Sequence, residues 1–98
     1  MIETTRRIIE QIRSVPKGKV SSYSGIALKA GFPNGALQTV RALHSMSKKH
    51  NLPWHRIIRA DGQIALEGES RALQISLLKA EGIEVSPQGR VDMQKFGV

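Results

Sequence analysis

The segment Pro53-Trp54-His55-Arg56-Ile57 gathers the side chains best suited to chemistry: the chain's one tryptophan, a histidine and an arginine, entered through a proline that fixes the backbone. An indole offers a broad apolar face for stacking and a single N–H donor, but no nucleophile and no leaving group. Taken alone, a lone tryptophan is more commonly a packing piece of the core than a binding surface. The 98 residues contain no cysteine, so transfer of a group to a thiolate is excluded at every position. The three histidines, His44, His50 and His55, have the spacing of no common metal-ligand set, so no metal site is expected. Binding by stacking lies within reach of these residues; covalent chemistry through sulfur does not.

The elements that must position this segment can be read from spacing and caps. Ile8, Ile12 and Val15 recur at helical intervals, with Ile9 widening the stripe, and predict an amphipathic helix over 3–14 that stops before Pro16. Pro16-Lys17-Gly18-Lys19 is turn chemistry, its two lysines either phosphate contacts or an ordinary exposed corner. Ser22 is a good N-cap for a short helix over 23–30, with Ile26, Ala27 and Ala30 inward and Gly31 just past its end. Gly31-Phe32-Pro33-Asn34-Gly35 breaks the helix, and Asn34 is the expected cap of a third helix from about Ala36 to Lys48. Helix, short glycine-containing turn and longer helix is the pattern of a helix-turn-helix, whose second helix would read DNA.

Beyond the tryptophan, Asp61-Gly62 signals a hairpin between Ile57-Ile58 and Ile64-Ala65-Leu66, which would form a wing. Residues 70–81 return to helical spacing, with Leu73, Leu77, Leu78 and Ala80 expected in the core and Gly82 closing the helix. Ile83-Glu84-Val85 and Arg90-Val91-Asp92-Met93 flank Pro87-Gln88-Gly89 and suggest a second small hairpin. No internal repeat, linker or low-complexity segment is visible. The expected architecture is one mainly α domain over 1–98, a small winged helix-turn-helix with short β-hairpins.

The formal net charge of +7 is unevenly spread. Residues 1–59 hold eleven Lys and Arg against Glu3 and Glu10, whereas residues 60–98 hold four against six acidic residues. A domain this basic on one side suits a polyanion, DNA above all, although charge alone fits a merely solvated surface equally well. With no signal-peptide pattern and no apolar run near membrane-spanning length, the expected location is cytoplasmic, nucleoid-associated when on DNA.

Two stretches resemble the O6-alkylguanine-DNA alkyltransferases. Pro53-Trp54-His55-Arg56-Ile57 resembles their active-site motif Pro-Cys-His-Arg-Val, with Trp54 in place of the cysteine that accepts the alkyl group. Residues 15–27, from Val15 to Ala27, resemble the opening of their helix-turn-helix, and the spacings Tyr23 to Trp54 and Trp54 to Glu81 match without gaps. Tryptophan at the acceptor position is the pattern of the alkyltransferase-like proteins, which this chain resembles up to about Val85. A complete alkyltransferase usually carries an additional N-terminal domain, for which these residues leave no room.

The resemblance implies a non-enzymatic protein, without cofactor and monomeric, that binds O6-alkylguanine in duplex DNA. It would flip the base into a pocket beside Trp54 and hand the lesion to nucleotide excision repair proteins, of the UvrA type in bacteria. It implies a lesion pocket of Trp54, Tyr23, His55, Arg56, Glu81 and Glu67. His55 and Glu81 match the relay that lowers the thiol pKa in the alkyltransferases; with no thiol, they are expected to persist as a hydrogen-bonded scaffold. Arg56 is expected to brace loops, and Tyr23 to crowd the target phosphate. The DNA-binding set is Ser22, Ser24, Ala36, Leu37, Gln38, Arg41, Lys48 and Lys49.

Two departures from the family stand out. The arginine finger of the recognition helix falls at Leu37, with Arg41 one turn further on the same face. Glu67 occupies a position where relatives carry tyrosine or a cation. The competing readings are a sequence-specific helix-turn-helix transcription regulator and a cryptic enzyme using His55 and Glu81 as an acid–base pair.

Overall fold

The computed structural model describes residues 2–98. Five helices account for most of the chain: α1 Glu3–Ser14, α2 Tyr23–Lys29, α3 Ala36–His50, α4 Gly68–Ala80 and the short α5 Met93–Phe96. Two two-residue strands, β1 Ser21–Ser22 and β2 Ile57–Ile58, pair in parallel, with Ser21 opposite Ile57 and Ser22 opposite Ile58. The mainly helical helix-turn-helix expected from the sequence is present.

α1 buries Ile8, Ile9 and Ile12 and ends where Val15 turns extended ahead of Pro16. In α2, the Ser22 hydroxyl accepts the Gly25 N–H at 2.9 Å, the N-cap bond anticipated from its position. Gly31 takes the left-handed conformation, with φ of 95°, where that helix ends. The cap of α3 differs from expectation. Gly35, not Asn34, stands at the N-cap and no side chain caps the helix. The Phe32 backbone folds over it, its carbonyl accepting the Gly35 N–H at 2.9 Å, and a Cβ on Gly35 would lie 2.8 Å from Phe32 Cβ.

The two expected hairpins do not form. The Asp61-Gly62 turn is made, since Gly62 N–H donates to Arg59 O and Asp61 Oδ1 accepts the Gln63 N–H. However, the chain that leaves it does not pair back on β2. Ile64 N–H donates to Gly89 O, Val91 N–H to Gly62 O, and Gln63 bridges Arg90 in antiparallel fashion. β2 is instead paired by β1, from 36 positions earlier in the chain. At the second site the Ser86–Arg90 turn closes, with Ser86 N–H on Arg90 O at 2.9 Å, and the chain then coils into α5 under an Asp92 cap. The last residues run beside Val20, whose N–H donates to Phe96 O and whose carbonyl accepts the Val98 N–H.

Neighbouring strand residues point to opposite faces, and β2 uses this to join two cores. Ile57 packs with α1, α2, α3 and Leu52; Ile58 packs with Val20, Ile64, Leu78, Ile83, Val91 and Phe96. In α4 the inward positions are Gln74 and Leu78, while Leu77 is only half-buried and in neither core, Leu73 is 52% exposed and Ala80 lies outside. The expected core assignment of Leu73, Leu77 and Ala80 is therefore corrected.

Candidate nucleic-acid interface

Trp54-His55-Arg56 form a single 3-10 turn, entered from Pro53 and leading directly into β2. The turn is held by the carboxylate of Glu81, at the C-cap of α4. His55 Nε2 lies 2.7 Å from Glu81 Oε2, and Arg56 donates to the same carboxylate from Nε at 3.0 Å and from Nη2 at 2.8 Å. Arg56 Nη1 also donates to Val15 O, and the Gly18 N–H donates to Glu81 Oε1 at 3.1 Å. Gly18 reaches that contact in a left-handed conformation, φ 85°, which explains glycine in the Pro16–Lys19 turn. Burial alone would raise the Glu81 carboxyl, but Arg56, His55 and the Gly18 N–H together hold it down to about 2. The Gly18 turn and the Trp54 turn thus converge on one anion at the end of α4.

Gln74 fastens the same turn from α4. It is fully buried, and its Nε2 donates to the carbonyls of His55 at 3.1 Å and Ile57 at 3.3 Å. The Trp54 ring meets the His55 ring edge-on, with centroids 6.2 Å apart.

On the far side of Trp54 lies a cavity of about 340 Å³ lined by Tyr23, by Val40, Leu43, His44 and Ser47 of α3, by Trp54 and Ile57, and by Leu66, Ser70, Leu73 and Gln74. This is within the size range of small-ligand clefts. Burial pushes the Tyr23 phenol up, so at neutral pH it offers an uncharged hydroxyl. Of the pocket residues expected from the sequence, Trp54 and Tyr23 line the cavity. His55, Arg56 and Glu81 do not; they form the network behind the turn. Glu67 is exposed at the N-cap of α4, beside lining residues Leu66 and Ser70.

The wall from α3 was missed in the sequence. Val40, Leu43, His44 and Ser47 are spaced as one helical face, a signal that was available within the predicted recognition helix. Leu73 had been read as core because an apolar side chain on a cavity wall follows the same periodicity as one in a packed interior.

The remaining expected DNA contacts lie along the start and outer face of the helix-turn-helix. Ser24, Leu37, Gln38, Arg41, Lys48 and Lys49 are exposed, Ala36 is half-buried, and the Ser22 hydroxyl is engaged in capping. Leu37 shows 55% of its surface in the first turn of α3. α3 contains no acidic residue, and among the described residues Arg41, Lys48 and Lys49 have no ion-pair partner. A helix with free cations on its outer face, an exposed leucine at its start and a cavity behind it can meet a phosphate backbone and receive a base.

Comparison with known proteins places this arrangement. Residues 3–83 match the family described as 6-O-methylguanine DNA methyltransferase, DNA binding domain. A DNA base-flipping protein of Vibrio parahaemolyticus is 41% identical over 90 residues, covering 92% of this chain and 90% of that protein. Alkyltransferase-like protein 1 of Schizosaccharomyces pombe is 34% identical over 89 residues, covering 87% of this chain and 81% of that protein. The crystal structure of S. pombe Atl1 in complex with damaged DNA containing O6-carboxymethylguanine superposes with a TM-score of 0.84 at 27% identity, over 98% of this chain and 94% of that one. With tryptophan at the centre of its motif and no cysteine anywhere, the chain belongs to the alkyltransferase-like branch of the 6-O-methylguanine DNA methyltransferase DNA-binding family.

Proposed function

We propose that this protein recognises O6-alkylguanine in duplex DNA by flipping the damaged base into the cavity beside Trp54, and that it leaves the alkyl group in place. The observation that carries this reading is the cavity itself. It is built mainly of apolar side chains, presents an indole where a methyltransferase would need a thiol, and opens behind a recognition helix free of acidic residues. An indole and its apolar neighbours can hold an alkylated purine by stacking and burial. Flipping costs a few kcal/mol and least for a base whose pairing is already weakened, so part of the lesion selectivity comes from the DNA.

Within this reading Leu37 enters the base stack as an apolar wedge where the family uses arginine, a device of other duplex-distorting proteins. Tyr23 helps to turn the nucleotide. His55, Arg56 and Glu81 are retained as a brace that fixes the Trp54 turn rather than as a proton relay. The protein acts as a monomer in the cytoplasm and presents the flipped lesion to nucleotide excision repair proteins, a hand-over supported by family membership. The decisive measurement titrates matched duplexes with and without one O6-methylguanine, follows Trp54 fluorescence, and weighs the DNA afterwards by mass spectrometry. Preferential binding of the lesion, a fluorescence change much larger than with undamaged duplex, and DNA of unchanged mass are expected. Equal binding of both duplexes would favour a sequence-reading regulator, and demethylated DNA would establish an enzyme.

A further inference from the structure

Most of the cavity wall is apolar or carries a neutral polar group, and one lining residue stands apart. His44 projects from the middle of the α3 face, between Val40 and Ser47, and is exposed with no hydrogen-bond or ion-pair partner among the described residues. Arg41 and Lys48, three residues before it and four after, are exposed and outside the lining set. From the other packed elements the cavity receives the uncharged Tyr23 hydroxyl of α2, the indole of Trp54, and Ser70 and Gln74 of α4. Among the described residues no carboxylate lines it; Glu67 and Glu69, which adjoin lining residues Leu66 and Ser70 in sequence, are exposed at the start of α4. The lining thus carries no acidic group, and its one basic side chain is the exposed imidazole of His44.

Building on the lesion-binding reading above, we infer that His44 is a specificity-determining residue that makes the cavity prefer O6-substituents bearing a carboxylate over neutral substituents of similar size. A flipped base would bring its O6 substituent against the cavity wall, where it loses part of its hydration. There an anionic group needs a charged or hydrogen-bonding partner to offset its lost hydration. Protonated imidazole supplies two N–H donors and a charge, and a charge-assisted hydrogen bond is about twice as strong as a neutral one. Neutral alkyl groups gain nothing from it and rest on Leu43, Leu66, Leu73 and Trp54.

The test measures Kd for four duplexes of one sequence, carrying guanine, O6-methylguanine, O6-propylguanine or O6-carboxymethylguanine at one position, at pH 6. The full chain is compared with His44→Gln and His44→Leu, and each variant is read as its own carboxymethyl-to-propyl ratio, so a uniform loss of binding or folding cancels. The unaltered protein should favour carboxymethyl over propyl by about tenfold, on the order of one charge-assisted hydrogen bond. Both variants should bring the ratio to about one. A ratio that survives in both variants, or that is absent from the unaltered protein while propyl is still bound over guanine, overturns the role of His44. Equal binding of all four duplexes would instead remove the lesion-binding reading, and this assignment with it.

Discussion

Trp54 occupies the acceptor position, so restoring a cysteine there asks how much of the catalytic apparatus survives. His55 Nε2 is already engaged with the Glu81 carboxylate, as a relay would require, but the cavity wall has been shaped around an indole. A thiol is much smaller, and a loosely placed nucleophile loses rate steeply. Trp54→Cys is therefore expected to take up methyl groups from O6-methylguanine DNA slowly and substoichiometrically, as measured by mass of the protein after incubation; rapid stoichiometric methylation would contradict this. The wedge is a second question of single residues. Leu37 is more than half exposed and would be buried between bases, a gain of roughly 1.5–3 kcal/mol for a leucine. Leu37→Ala should thus weaken lesion binding by about tenfold or more and undamaged binding little. Arg41→Ala should weaken both together. A selective loss of lesion preference in Arg41→Ala alone would transfer the wedge to that arginine.

The elements are tied together at Glu81, where the end of α4, the Gly18 turn, the end of α1 through Val15, and the Trp54 turn meet. Its carboxyl is only 10% exposed and is held near 2, against an ordinary 4.5. A depressed carboxylate stabilises the fold above its unfolded pKa, and that stabilisation is lost as pH falls from about 4.5 towards 2. The contribution at neutral pH is about 3 kcal/mol. Glu81→Gln should therefore lower stability at pH 7 by roughly 2–4 kcal/mol, since Arg56 keeps its charge in a partly buried site. Denaturant melts of both proteins should converge as pH approaches 2; a constant gap from pH 7 to pH 2 would show that the carboxylate charge is not what matters. This junction also shows which parts of the fold were legible in sequence. α1 and α2 could be read because a stripe of isoleucines and a serine cap are local signals. The parallel pairing of Ser21-Ser22 with Ile57-Ile58 could not, because nothing near Asp61-Gly62 reveals that β2 is already partnered by a strand far earlier in the chain. The bond from Gly18 to Glu81 is likewise invisible in spacing, whereas Trp54, His55, Arg56 and Glu81 stood out through motif resemblance. The α3 wall of the cavity was within reach of periodicity but was read only for its outer face.

At the scale of the whole molecule, the proposed reading assigns charge and selectivity to different parts. The basic residues concentrate in positions 1–59 and, on α3, face outwards, while the cavity is lined by neutral groups and His44. Phosphate neutralisation releases counterions and makes affinity fall with salt, by about 0.9 log units per contact for each tenfold rise in concentration. Those contacts are the same whether or not a guanine is alkylated. Stacking against Trp54, burial of a neutral alkyl group and the cost of flipping involve no net change of charge. Plots of log Kd against log salt for undamaged and O6-methylguanine duplexes should therefore be steep and parallel, so that absolute affinity collapses with salt while the preference for the lesion is kept. Replacing Lys48 and Lys49 by glutamine, one at a time, should flatten both lines by up to about one contact each and leave the distance between them unchanged. Fluorescence titrations over a range of salt decide the matter. Lines that converge with salt would mean that lesion selectivity itself rests on extra phosphate contacts made only in the flipped complex, and the division between a charged face that holds DNA and a neutral cavity that reads the base would have to be given up.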